Sequence, residues 1–411
     1  MSRPEHNDPL PKVPQDPQDT QQPDMPSQPQ PSSAAASSSS AHAHRSIIQT
    51  ITAVIPTSGA SPLLCFLPLG LMADAFHWNP VLISIYNFVA IIPLSAVVSD
   101  SSDMLSDYLG ELMGGLINAT FGNCVELSTG ILALTRGEVY FAQSVMIGSI
   151  LSDLLLILGC CLIAASYNNF IMKFNKSVTG ALASLMVVTS VGLILPSVLY
   201  STFPFDLGQQ IIAFSRGTSA VLLLLYGGYL YFQLGTHSHL FQQQGDNQDS
   251  GSDSPREPQH SLNRLIITLA LASLGIVVCA KNIMDSIPAT AASLNISKTF
   301  IATILIPIIS NSCEGAVVIA ACTGGGDVDF AISVIVSSIL QIGLFAIPFL
   351  VMLGWAIAKP MTLYFETFHT VVLFFSVLLV NCILQDGKYT YIHGSMLVAM
   401  YAILTLAFYV R

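Results

Sequence analysis

From Arg45 onward the chain is built almost wholly of uninterrupted apolar stretches. Each is about the length a helix needs to cross hydrocarbon. Spans are expected at 46–76, 80–99, 112–135, 141–166, 178–200, 211–234, 262–289, 299–322, 330–357, 366–384 and 391–410, eleven in all. These stretches do not alternate between apolar and polar residues, so helices rather than barrel strands are the expected spanning form. Only 9% of residues are charged and 52% are hydrophobic, whereas a soluble domain carries roughly 25% charged residues. Fourteen Lys and Arg with 24 Asp and Glu cannot cover a water-soluble globule of this length. A net charge of −10 offers nothing to a nucleic-acid backbone. All eight cysteines fall in apolar stretches without zinc spacing and are expected to be small buried residues. The expected fold class is an all-α polytopic membrane protein.

Residues 1–45 are rich in Pro, Gln and Ser and read as a disordered tail. A polar stretch, 235–261, separates the sixth and seventh spans and reads as a linker. The segments on either side of it resemble each other. At a constant offset of 188, Asn123 meets Asn311, Glu126 meets Glu314, Gly137 meets Gly325, Ile147 meets Ile335 and Ser149 meets Ser337, with no gap. The expected organisation is a leading helix over 46–76, a first five-helix repeat over 80–234 and a second over 262–411. Five is odd, so the second copy enters the membrane from the opposite side. Inverted repeats of this kind mark secondary transporters, with the site near the midplane at the repeat interface. The excess of Lys and Arg in alternate loops favours a cytosolic N-terminus.

Glu126, Asp153 and Glu314 lie inside apolar spans. Each costs roughly 2.5–3.5 kcal/mol at the centre of a bilayer. A bound cation or proton compensates that cost. Asn123 and Glu126 are three residues apart and share a helix face, as do Asn311 and Glu314. Ser149, Ser152 and Asp153 from one copy, and Ser337, Ser338 and Gln341 from the other, add oxygens. An all-oxygen cage suits a hard cation such as Ca²⁺. Asp103, Lys281 and Asp285 are candidates for coupling or gating, and Arg216 and Lys281 read as buried cations. His77, His237, His239, His369 and His393 read as solvated at the interfaces. Pro307, four residues before Asn311, is expected to kink its helix.

Two segments, GGLINATFGNCVELSTGILAL with VMIGSILSDLLLILG, and SNSCEGAVVIA with VIVSSILQIGLFAIPFLVMLGW, resemble the two signature repeats of the cation/proton exchangers of the Ca²⁺/cation antiporter superfamily. The resemblance extends over nearly everything from residue 46 to 411. It implies a vacuolar-type Ca²⁺/H⁺ antiporter, with the central ion-binding acids at Glu126 and Glu314, Ca²⁺ and protons as transported substrates and no cofactor. The chain departs from that pattern at Ser310 (Gly in the family), Gly315 (His), Asp153 (Asn), Asp103 (Glu) and Lys281 (Glu). The acid gained at Asp153 and the one lost at Lys281 are expected to offset each other. Exchange of K⁺, Na⁺ or Mn²⁺, or a transport-inactive scaffold, are the alternatives. Gly324-Gly325-Gly326-Asp327 spells the GxGD of intramembrane proteases, but neither the Tyr-Asp string nor the Pro-Ala-Leu string of such enzymes occurs here. No P-loop is present, which argues against an ATP-driven pump. Oligomeric state is not legible.

Overall fold

The computed structural model describes residues 61–109, 111–166, 172–173, 176–202, 208–236, 262–323 and 328–411. The expected tail, most of the linker, His237, His239 and the GxGD turn lie outside the described residues. The helices, in chain order, are α1 (Phe66–Ala75), α2 (Pro80–Leu109), α3 (Glu111–Gly122), α4 (Cys124–Thr135), α5 (Val139–Ser166), α6 (Lys176–Thr202), α7 (Gly208–Leu230), α8 (Leu262–Leu294), α9 (Lys298–Ser310), α10 (Ser312–Cys322), α11 (Val328–Ala356), α12 (Thr367–Asp386) and α13 (Tyr391–Val410). The only strands among the described residues are Met172–Lys173 and Lys388–Tyr389, paired antiparallel. They place the loops after α5 and α12 on one face.

Eight helices are long and apolar enough to cross a membrane, or nine when α9 and α10 count as one bent span. The expected count of eleven is therefore not reached among the described residues. The physical reason is local. The expected span 112–135 is two short helices that part at Asn123, and the leading span is described only from Ser61. Large apolar side chains such as Leu224, Leu271, Leu274 and Val198 point outward, as a protein solvated by lipid requires. The cysteines divide: Cys124, Cys161, Cys279 and Cys322 are buried, Cys160 and Cys313 are half-buried, and Cys65 and Cys382 are exposed. The expectation of eight buried thiols fails because lipid-facing positions tolerate a small apolar residue equally well.

The two halves share their breaks. Helices α3 and α4 part at Asn123, and α9 and α10 part at Asn311 with a bend of 51°. Within α5 the backbone widens to a π-helix at Ser152–Ile157, and within α11 at Gln341–Ala346. With the offset of 188, these segments coincide to within one residue. Pro307 contributes to the second break. It has no N–H for the carbonyl four residues back, that of Thr303, and the preceding stretch Ile301–Leu305 is itself π-helical.

Close backbone approach joins the halves at Gly148. A Cβ there would lie 2.3 Å from the Thr303 carbonyl oxygen and 2.7 Å from its Cα. Only glycine lets α5 lie this close to the loosened start of the broken span. Helices α2 and α8 run along each other and carry a polar seam. The Ser84 hydroxyl is 2.8 Å from that of Ser286 and 2.9 Å from that of Thr290, and Asn282 donates to Asn87 at 3.4 Å. Such bonds between membrane helices contribute about 0.6 kcal/mol each. Their main effect is to set the register of two otherwise apolar helices. The apolar core falls into two clusters, one built on α2 and α8 with parts of α4, α5 and α9, the other on the rest of α5 and the later helices of each half. Val125 belongs to the first and Leu127 to the second. Glu126 therefore sits on the seam between them.

Candidate ion site

Each broken helix restarts with an acid in its first turn, Glu126 in α4 and Glu314 in α10. The break at the asparagine ends one helix and begins the next, so its side chain stands free of both ladders. The asparagine of each half then reaches into the other half. Asn123 Nδ2 donates to Gln341 Oε1 at 3.0 Å, and Asn311 Nδ2 donates to Asp153 Oδ1 at 2.7 Å. Gln341 and Asp153 are themselves related by the offset of 188. The two bonds are one contact made twice, and both fix the asparagine amide by its nitrogen and leave its oxygen for other partners.

A directional network follows around Asn311. Its amide nitrogen also donates to Ser149 Oγ at 3.1 Å, and Ser149 donates to Glu126 Oε1 at 3.0 Å. Ser338 donates to Asp153 Oδ2 at 3.0 Å. Glu126 is 3% exposed and Asp153 4%. Among the described residues no Lys or Arg forms an ion pair with Glu126, Asp153 or Glu314; Arg136, Lys281 and Arg411 pair with other acids. The buried charge of Glu126 and Asp153 is thus held by hydroxyl and amide donors, and it is available to a cation. Among the described residues no three His, Cys, Asp or Glu side chains gather closely enough to hold a metal by themselves. The amide and hydroxyl oxygens are needed to complete a shell.

The two central acids differ in access. Glu314 lines a cavity of about 470 Å³ together with Asp100, Asp103, Asn123, Asn311, Ser337 and Gln341. Gln233, near the end of the π-helical turn that follows α7, also lines it, so this cavity opens toward the face that bears the linker. Glu126 does not line it and lies one layer deeper.

A second cavity, of about 660 Å³, opens on the opposite face beside Glu138, Gln143, Lys298, Glu366 and His369. An extended strap, Met361–Phe365, separates it from the interior. Its residues Met361, Leu363 and Phe365 are buried. Side chains satisfy its backbone. Gln143 Nε2 donates to the carbonyls of Thr362 (2.8 Å) and Tyr364 (3.0 Å), and Ser197 donates to that of Leu363 (3.1 Å). The Leu363 and Phe365 amides donate to Ser215 and Ser197. Irregular backbone at this depth is tolerated only when protein groups pair it. Beside the strap, the His369 ring nitrogen Nε2 lies 3.1 Å from Thr303 Oγ1, and Nδ1 lies 3.3 Å from Glu366, which pairs with Arg411.

The expected site residues are therefore sorted. Glu126, Glu314, Asn123, Asn311, Ser149, Asp153, Ser338 and Gln341 come together at the seam. Ser337 lines the cavity but lies 2.9 Å from the Tyr229 hydroxyl. Ser152 does not join. It is buried, away from the cavity, with its hydroxyl beside Tyr401 of α13. Adjacent helix positions point about 100° apart, so the face that turns Ser149 and Asp153 inward leaves Ser152 pointing toward α13. Asp103 lines the cavity mouth. Lys281 and Asp285 do not line it; they pair with each other at 3.3 Å, and Asp285 also binds Arg136 at 2.8 Å. Lys281 is half exposed rather than buried, and it contacts Asp285 instead of Asp153, so no direct contact carries the expected offset between Lys281 and Asp153. Arg216 stacks over Trp355, 4.8 Å from the ring centroid. His369 is buried at 3% exposure, against the expectation of a solvated histidine, because α9 supplies it a hydroxyl partner. Gly315 packs on Ile157, whose Cδ1 would lie 2.9 Å from an added Cβ, so a larger side chain there requires the Ile157 side chain to move. Sequence reasoning missed Ser310 as a site residue and the strap entirely.

Two like-built halves, each broken at an asparagine that presents an acid to the seam between them, define an integral membrane protein of the inverted-repeat kind. The chain belongs to the sodium/calcium exchanger protein family, whose model matches residues 79–235 and 264–410, one segment in each half. It is 37% identical over 366 residues to the vacuolar calcium ion transporter of Schizosaccharomyces pombe, covering 88% of this chain and 87% of that one. It is 32% identical over 356 residues to the Ca²⁺/H⁺ antiporter of Aphanothece halophytica, covering 84% and 95%. Among solved structures it resembles native YfkE, with a TM-score of 0.71 and 26% identity over 85% of this chain and 98% of that one.

Proposed function

We propose that this chain exchanges Ca²⁺ for H⁺ across the membrane of an acidic organelle by alternating access. The observation that carries the reading is the doubled asparagine–acid break, with one acid lining the 470 Å³ cavity and the other buried behind it. A divalent cation entering from the linker face meets Asp103 and Glu314 first and then Glu126, with Asn123, Asn311 and Ser149 supplying neutral oxygens. Protons and the cation compete for the same carboxylate oxygens. An acidic compartment on the opposite face therefore releases the metal and returns the carriers protonated, without ATP. The names of the vacuolar relatives support a vacuolar membrane, and the distribution of Lys and Arg supports a cytosolic tail and linker.

The test uses the purified protein in liposomes with an acidic interior. ⁴⁵Ca uptake is expected to follow the pH gradient and to stop when an ionophore collapses it. Uptake that ignores the gradient and follows Na⁺ or K⁺ instead would overturn the coupling to protons. A panel of competing Mn²⁺, Na⁺ and K⁺ reads the preference.

In this reading the strap and the His369–Thr303 contact hold the opposite face shut. The positions equivalent to Gln143 and Thr303 on the linker face are Ala331 and Gly115, neither of which has a polar side chain. A hydrogen bond contributes about 0.5–1.5 kcal/mol net. Gln143→Leu or His369→Phe should therefore shift the balance toward the opposite-open form by roughly two- to tenfold. Cys313, which lines the linker-face cavity, reports the shift. In a background with Cys313 as the sole cysteine, its alkylation from that face should slow by the same factor. An unchanged alkylation rate would remove the latch from the account.

A further inference from the structure

We propose that Ser310 tunes the ion preference of the site toward Ca²⁺ and against smaller six-coordinate divalent cations, by supplying an oxygen that only one half of the cage possesses. This rests on the ion-exchange reading above and deepens it. The two halves share the break, the asparagine and the acid, but they differ in the residue that precedes the asparagine. With the offset of 188, Ser310 stands where Gly122 stands in the other half. Each is the last residue before its asparagine.

Packing does not force this difference. A Cβ at Gly122 would meet only Asn118 Oδ1, at 3.4 Å, an ordinary contact. A serine there has room, yet the hydroxyl is present in one half and absent from the other. Ser310 is buried and lines the cavity that reaches Glu314. Its hydroxyl lies 3.2 Å from the Pro307 carbonyl and 3.1 Å from Asn311 Oδ1. It also faces Glu126, the acid of the other half. It is thus the one added hydroxyl that sits among a site amide and the buried acid together.

A serine near a helix end commonly satisfies itself by donating to the carbonyl three or four residues back. Here the neighbouring network selects a different use. The Asn311 amide nitrogen is committed to Asp153 and Ser149, so its oxygen accepts, and Ser310 is placed to donate to it. A hydroxyl has one proton and two acceptor lone pairs. With no cation bound, Glu126 is an acceptor for that proton; with a cation between the two side chains the proton goes to Asn311 or to the Pro307 carbonyl, and the lone pairs face the ion. The shell around a cation at the seam then has one more neutral oxygen than a symmetric cage would have.

The extra oxygen discriminates by coordination number. Ca²⁺ accepts six to eight oxygens in a flexible shell, whereas Mn²⁺ is satisfied by an octahedral set. Removing one oxygen costs Ca²⁺ more than Mn²⁺.

The experiment measures ⁴⁵Ca and ⁵⁴Mn uptake by the full-length protein in the same liposome preparation and takes the ratio of the two. Folding and insertion losses cancel in that ratio. Ser310→Gly and Ser310→Ala are expected to lower the Ca²⁺:Mn²⁺ ratio by roughly three- to tenfold, and Ser310→Thr, which keeps the hydroxyl, to retain it. Gly122→Ser is expected to raise it. Ratios within twofold of the wild type for both Ser310→Gly and Ser310→Ala would overturn the proposal. Wild-type protein that takes up neither ion with the pH gradient would instead overturn the exchange reading, so the two failures are distinct.

Discussion

Replacing either central acid by its amide, Glu126→Gln or Glu314→Gln, is expected to lower pH-gradient-driven Ca²⁺ uptake by about a hundredfold or more. The amide keeps the shape and one oxygen but removes the charge. Bonds to a charged group contribute about 1.5–3 kcal/mol, and a divalent cation on a carboxylate exceeds that, while each tenfold in affinity corresponds to about 1.4 kcal/mol. The amide also cannot carry a proton on the return leg, so both directions of the cycle fail. The two variants should not be distinguishable by severity, although Glu126 is buried and Glu314 lines the cavity, because each half contributes one acid to one site. Measured uptake above a tenth of wild type in either variant would mean that the acid concerned does not hold the ion.

Gly148→Ala is the second large effect, and its sign is unusual. In an open helix position this change stabilises by about 1 kcal/mol through backbone propensity. At Gly148 the new methyl would press on the Thr303 backbone, at 2.3 and 2.7 Å, and no flexible side chain can yield. Overpacking of this kind costs typically 1–3 kcal/mol, occasionally more. The variant should therefore unfold at a lower temperature in detergent, while Gly227→Ala, where nothing lies within 4 Å, should not. The same methyl wedges α5 off α9 near Ser149, so uptake should fall in Gly148→Ala and persist in Gly227→Ala. Equal stability of the two variants would show that α5 and α9 are not packed as described.

Much of this was legible in the sequence because the protein is written twice. The spacing of Asn123 to Glu126 recurs at Asn311 to Glu314, and apolar continuity alone demanded helices. A break in the first half is suggested by Gly114, Gly115 and Gly122, which stand in for the proline of the second half, but its position at Asn123 is not fixed by the sequence, because these residues sit inside a continuous apolar run. The strap was missed because residues 358–365 read as a plain loop. Its burial depends on Gln143, Ser197 and Ser215, which are far away in sequence. Lys281 reads as a buried cation because hydropathy reports the segment and not the face, whereas the structure turns it outward to Asp285. Ser152 stays out because its neighbour Asp153 takes the inward face, and adjacent helix positions point about 100° apart. Ser310 attracted notice only as a departure from a pattern. Its partners, Asn311 and the acid of the opposite half, emerge when the two breaks face each other.

The central claim is that Glu126 and Glu314 belong to a single ion site shared by the two halves. Equilibrium ⁴⁵Ca binding to purified protein at neutral pH, with stoichiometry counted per chain, tests it most directly. One high-affinity Ca²⁺ per chain is expected for the wild type, and none for Glu126→Gln, for Glu314→Gln or for the double variant. Two ions per wild-type chain, with each single variant keeping one, would mean that the acids serve separate sites and would contradict the shared cage.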